Sequence, residues 1–315
     1  MGKISEALKK LNEEKERQKK EIMEKEKVLK KKEEAREEIK EDKSGAVRAL
    51  LSSWGERLHF KENFFLFSSQ SPSGIDPRIV TYYDDYSPLS EQYRLLRTNV
   101  KSLVKRIKGN HKSIKGVNSP AIITFSSSLR NEGKTVTAVN LAMSLASEEG
   151  TKVLLIDADL RNGTIHKLLN VEEEPGLSTV LVGEYDWSVG LHPTLNKNLF
   201  VIPRGKISAH PCEFLGSRKM RMILERLRGE KFNYILIDTP PLLSFADAYL
   251  IAQLTDGLII IVEAHRTKAE IVRKAKEVCE EAHTKILGFI LTKVDYYTPD
   301  SYYYYYNYRK YGRKI

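Results

Sequence analysis

The sequence predicts an α/β fold: a mostly parallel sheet covered by helices on both faces, preceded by a charged helix and followed by a flexible, tyrosine-rich tail. Three observations predict it. From Ala121 onward, short β-branched runs alternate with helical stretches. The runs are almost continuously apolar, as strands buried on both faces must be. The first of them leads through a polar loop into Gly133-Lys134-Thr135 at the start of a helical pattern, which is the context of a phosphate-binding loop.

The expected strands are residues 121–126, 152–157, 199–203, 234–238, 257–263 and 285–292, and the expected helices are 89–107, 134–148, 214–229, 246–253 and 268–282. Four regions follow. Residues 1–43 are rich in Lys and Glu and lack proline, which predicts a charged helix with a weak coiled-coil seam, an adaptor or a spacer. Residues 44–87 read as a linker, residues 88–295 as the α/β domain that carries the phosphate-loop motif, and residues 296–315 as a low-complexity tail.

Composition narrows the function classes. With 41% apolar residues the chain can bury a full core. It has no apolar run near the roughly 18 residues that span a bilayer. The two cysteines, Cys212 and Cys279, have no metal-ligand spacing, which fits a reducing, cytoplasmic setting. A net charge of +10 points to acidic partners. From Arg94 to Lys115 bases accumulate without one acid, either as a solvated face or as a contact surface. They are not interleaved with aromatics, and no specific nucleic-acid partner is expected.

Three motifs carry the chemistry. In SSSLRNEGKT, Lys134 can reach the β- and γ-phosphates of a nucleotide and Thr135 can offer its hydroxyl to Mg²⁺. Ser128, Arg130, Asn131, Glu132 and Gly133 complete the loop, and Val136 follows in the first helical turn. Ser128 stands at the usual first glycine, and Asn131 tolerates positive φ better than most residues. In VLLIDADLR, Asp157 and Asp159 end an apolar run, where an open α/β sheet binds its ligands. At i and i+2 of an extended strand both carboxylates would face one side. In YILIDTPP, Asp238 ends a third run as an acid that can order Mg²⁺.

These motifs, in this order, resemble the Walker A, A′ and B motifs of the bacterial tyrosine kinases of exopolysaccharide and capsule export. SPLSEQYRLLRTNV is similar to that family's oligomerisation helix, with Glu91, Arg94 and Arg97 at the matching positions. The resemblance implies a P-loop kinase that uses ATP and Mg²⁺. It gives Asp157 the role of orienting or deprotonating a tyrosine, and gives Asp159, Asp238 and Thr135 the metal. It also implies a homo-oligomeric ring and a separate transmembrane chain-length regulator that recruits the chain to the inner face of the membrane. Arg130-Asn131 departs from the family's common Pro-Gly, and Lys293 lies in TKVD, where relatives carry a base-recognition loop.

Nine of the 16 tyrosines lie in the tail: Tyr296, Tyr297, Tyr302, Tyr303, Tyr304, Tyr305, Tyr306, Tyr308 and Tyr311. No apolar period accompanies them. Beside a kinase they read as autophosphorylation sites, and at up to about 3.5 Å per residue the tail could reach a neighbouring subunit. Two rival readings of the same residues remain. A partition or division-site ATPase shares the fold, but Leu129 stands where its signature lysine is expected. A nucleotide-binding scaffold without kinase activity is the other.

Overall fold

The computed structural model describes residues 73–84, 87–110, 119–183, 185–206 and 211–294. The charged region 1–43, most of the 44–87 linker and every tail tyrosine lie outside these residues.

Seven strands form one sheet: β1 (Ala121–Ser127), β2 (Val153–Asp157), β3 (His192–Pro193), β4 (Leu199–Ile202), β5 (Tyr234–Asp238), β6 (Gly257–Glu263) and β7 (Ile286–Thr292). Their order is β3-β4-β2-β5-β1-β6-β7. Every pairing is parallel except the short antiparallel contact of β3 with β4. β5 therefore inserts between β2 and β1, and the three motif-bearing strands are adjacent.

The period-2 alternation of each strand sorts its side chains between two helical layers. On one face Ile123, Phe125, Leu155 and Leu236 pack with Leu141 and Leu145 of α3 (Lys134–Ala146) and with Val100 and Val104 of α2 (Pro88–Asn110). On the other, Ile122, Leu154, Ile156, Ile235 and Ile237 pack with Met220, Ile223, Leu224 and Leu227 of α7 (Arg218–Leu227). A third cluster joins Leu258 and Ile260 of β6 to Ala275 and Cys279 of α9 (Ala269–Glu281) and to Ala248 of α8 (Asp247–Ala252).

Three expectations need correction. The single helix expected over 214–229 is two, α6 (Pro211–Leu215) and α7, because Ser217 is extended and its hydroxyl caps α7 through Met220 N at 3.2 Å. Residues 73–83 do not behave as linker. Ile75 and Ile79 are buried in the α3 face of the core, just before the short helix α1 (Val80–Tyr83). Thr81 and Asn140 of α3 hydrogen-bond there, hydroxyl to amide oxygen, at 3.0 Å. Scattered apolar residues in a polar stretch gave no periodic signal for this strap. The short helices α4 (Ile165–Leu169) and α5 (Leu177–Val182) were likewise not anticipated, since one or two turns carry too little period to read.

Candidate active site

The strand order brings the motifs together at one end of the sheet. Asp157 and Asp238 are register partners at the C-terminal ends of β2 and β5, and β1 runs directly into the loop that carries Lys134. Gly133, with φ 88°, turns that loop into α3, so Lys134 opens the helix, whose first-turn N–H groups lack intrahelical acceptors.

Lys134 is the hub. Its ammonium lies 2.9 Å from Asp159 Oδ2, 3.6 Å from Asp238 Oδ2 and 3.2 Å from Thr135 Oγ1. Thr135 in turn donates its hydroxyl to Asp238 Oδ2 at 2.7 Å. Burial opposes the charge on Lys134, yet Asp238 and Asp159 hold its pKa above the ordinary lysine value. Asp238 is fully buried, and desolvation raises its pKa to about 6 against the pull of Lys134 and Thr135.

Asp157 is also fully buried. Desolvation and the neighbouring Asp238 push it well above the usual carboxylate range, although the Ile165 N–H donates to its Oδ2 at 3.1 Å. The expectation that Asp157 and Asp159 share one side of a strand does not hold. β2 ends at Asp157, and the chain turns, with Asp159 N donating to Asp157 Oδ1 at 3.3 Å and Asn162 N to Asp159 Oδ1 at 2.9 Å. Asp159 is thereby aimed at Lys134 while Asp157 is folded back under the loop. Gly163 permits that: a Cβ there would lie 2.3 Å from Asp157 Oδ1.

The donor set suits a hydrated Mg²⁺ bound with a nucleotide. Asp238 Oδ1, at the end of β5, and Ser128 Oγ, in the phosphate loop, are buried polar atoms with no hydrogen-bond partner. Among the described residues no three His, Cys, Asp or Glu side chains gather into a metal cage of their own.

A family model described as an AAA domain matches residues 121–286. The tyrosine-protein kinase YwqD of Bacillus subtilis (strain 168) is 32% identical over 221 residues, covering 70% of this chain and 87% of YwqD. The tyrosine-protein kinase CpsD of Streptococcus pneumoniae is 34% identical over 225 residues, 71% of this chain and 92% of CpsD. The crystal structure of the chimerical protein CapA2B2 matches with a TM-score of 0.59 and 29% identity over 69% of this chain and 89% of that one. The chain belongs to the bacterial tyrosine-protein kinases.

Around this candidate site lie further residues the motifs name, together with Phe245 and Asp247, which motif reading passed over. Arg161, at the end of VLLIDADLR, pairs with the buried Asp247 at 2.9 Å and stacks on Phe245 at 4.2 Å, while Arg130 of the phosphate loop stands 5.5 Å from the same ring. Arg130 and Asn131 are exposed at the loop tip, and Asn131 has φ 65°. Glu132 is fully buried and its carboxylate faces inward, so any nucleotide contact from it would come from its backbone. Val136 packs at the edge of the core.

The residues that match the family's oligomerisation motif sit on α2. Glu91 and Arg94 pair at 2.9 Å across one helical turn. Arg97 turns inward instead, donating to Ser144 O at 2.6 Å and pairing with Glu148 at 3.4 Å at the end of α3. Lys101 joins Glu148 at 2.6 Å. Part of the basic stretch thus serves to fasten α2 to the domain.

Proposed function

We propose that this kinase transfers the γ-phosphoryl group of ATP to the tyrosines of its own C-terminal segment, Tyr296 to Tyr311, in trans within a homo-oligomer. The observation that carries the reading is the placement of Lys134 between Asp159 and Asp238, beside a buried Asp157 whose pKa is pushed upward.

In the proposed mechanism, loop amides and Lys134 cradle the triphosphate. Thr135, Asp238 and Asp159 would hold a hydrated Mg²⁺, which would supply neutralisation of charge on the phosphates. Lys134 and Asp159 now bind each other, so each must release its partner to take up these roles. The phosphates are the natural competitor for the ammonium. The tyrosine oxygen forms a bond to the γ-phosphorus as the bond to the β-bridging oxygen breaks. ADP leaves, and the phenolic proton passes to Asp157. A carboxylate with a raised pKa is a better matched base for that proton than an ordinary aspartate.

Each phosphate adds about −1.5 to −2 charges, so a few would reverse the sign of the basic tail and weaken its docking at an acidic site. The resemblance further supports a role in exopolysaccharide or capsule export, with a separate transmembrane chain-length regulator that recruits the kinase to the cytoplasmic face of the membrane. Among the described residues no helix is long and apolar enough to cross a membrane itself.

The test is a phosphopeptide map after incubation with labelled Mg-ATP. A tail-less but active chain is mixed with full-length Lys134→Ala. Label on the Tyr296–Tyr311 peptide of the Lys134→Ala chain supports transfer in trans. Lys134→Ala alone should lose about 100- to 1,000-fold in rate. Label confined to other regions would sink the tail assignment.

A further inference from the structure

Apart from Gly133, the phosphate loop lacks the glycines that usually let such a loop bend. Ser128, Arg130 and Asn131 occupy the flexible positions, and Asn131 nonetheless sits at φ 65°. Another agent must hold that shape. Glu132 is its conspicuous member, a carboxylate with no exposed surface between the exposed Asn131 and Gly133.

Its bonds converge from three elements. Oε2 accepts the N–H of Leu129 at 2.6 Å, closing a ring across the loop's own turn. Oε1 accepts the hydroxyl of Thr267, which lies between β6 and α9, and the N–H of Glu263 at 3.4 Å, at the end of β6. From β7, the Thr292 hydroxyl donates to the Glu132 carbonyl at 2.6 Å. The next residue, Lys293, donates to the Asn131 carbonyl at 2.9 Å and pairs with Glu263 at 3.0 Å. Two consecutive loop residues, immediately before Gly133-Lys134, are therefore tied to the edge half of the sheet.

We propose that Glu132 is a positioning residue: its buried carboxylate replaces glycine flexibility with a fixed brace, which presents the loop amides and Lys134 to a nucleotide phosphate. The proposal rests on the nucleotide site of the preceding section. Charge-assisted hydrogen bonds are the stronger kind, and a loop already in its binding shape loses less freedom when a ligand arrives. Electrostatics alone makes the opposite forecast. Glu132 puts a negative charge in a loop that would hold a polyanion, so its neutralisation should tighten binding unless the brace matters more.

The experiment is calorimetric titration of the full chain with Mg-ADP, together with steady-state kinetics in ATP and thermal unfolding. Glu132→Gln keeps the size but sets an amide N–H against either the Leu129 N–H or the Thr267 hydroxyl. It should weaken Mg-ADP binding roughly ten-fold and raise KM for ATP in proportion, with kcat changed far less. Thr292→Val, which leaves the carboxylate intact, should weaken binding by roughly three-fold and keeps the test open if Glu132→Gln folds poorly. Binding by folded Glu132→Gln as tight as wild type, or tighter, would overturn the brace. So would a fall in kcat with KM unmoved. A wild-type chain that fails to bind Mg-ADP would instead overturn the nucleotide site on which the brace depends.

Discussion

β5 and β7 both deliver residues to the active site, but they do so from opposite environments. β5 lies between β2 and β1, is covered on both faces, and ends in the fully buried Asp238. β7 is the sheet's edge, with Phe289 and Leu291 46% and 63% exposed, and ends in Thr292, whose hydroxyl clasps the phosphate loop. The difference shows which task each place can support. A carboxylate whose pKa must be moved needs low-dielectric surroundings on every side, and only a central strand has them. A hydroxyl that ties down a carbonyl needs only correct placement, which an edge strand can provide.

Substitutions can sharpen or break this contrast. The largest effect is expected at the centre: Leu236→Ala on β5 should cost about 2–5 kcal/mol, read from urea unfolding, because its fully buried site has little freedom to collapse. Gly163→Ala comes next. The added methyl would meet both Asp157 oxygens, at 2.3 and 2.4 Å, and displace them. A fall of about 100-fold in autophosphorylation rate is expected, as for other small misplacements of reacting groups. A rate near wild type would show that Asp157 need not sit where it does.

The pH dependence is a subtler probe. Asp238 has a pKa of about 6 when folded, above its ordinary value of 3.8. Between those values the folded state holds more protons than the unfolded state, so this group's contribution to stability declines as pH rises through the window. Asp157 is shifted in the same direction. Asp238→Asn should therefore flatten, without abolishing, the fall in unfolding free energy of the nucleotide-free kinase between pH 4 and about 6. An unchanged slope would mean that burial at β5 does not perturb this acid. The smallest effect belongs to the edge: Leu291→Ser should change stability by no more than about 0.5 kcal/mol in the same urea assay. A larger loss would show that β7 is covered after all.

Much of the site was legible in the chain. Lys134, Thr135, Asp157, Asp159 and Asp238 announce themselves because each follows an apolar run or opens a helix, and such transitions are local. Asp247 was not legible, since a single acid in SFADAY looks like a surface residue until Arg161 is seen beside it. Gly163 gave only the weak signal of a glycine shortly after DADLR. Glu132 stands in the phosphate-loop motif, yet nothing local says that its partners lie at Glu263, Thr267 and Thr292.

The sequence by itself determined the class of sheet, the phosphate loop and the acids at the strand ends, because apolar runs, glycine and charge act over a few residues. Tertiary structure alone decided that β5 enters between β1 and β2, that Asp157 and Asp159 part company, and that Glu132 turns inward. Those outcomes depend on which strands become neighbours and which polar atoms find partners, at Glu132 across more than a hundred residues. No short stretch of chain contains that information.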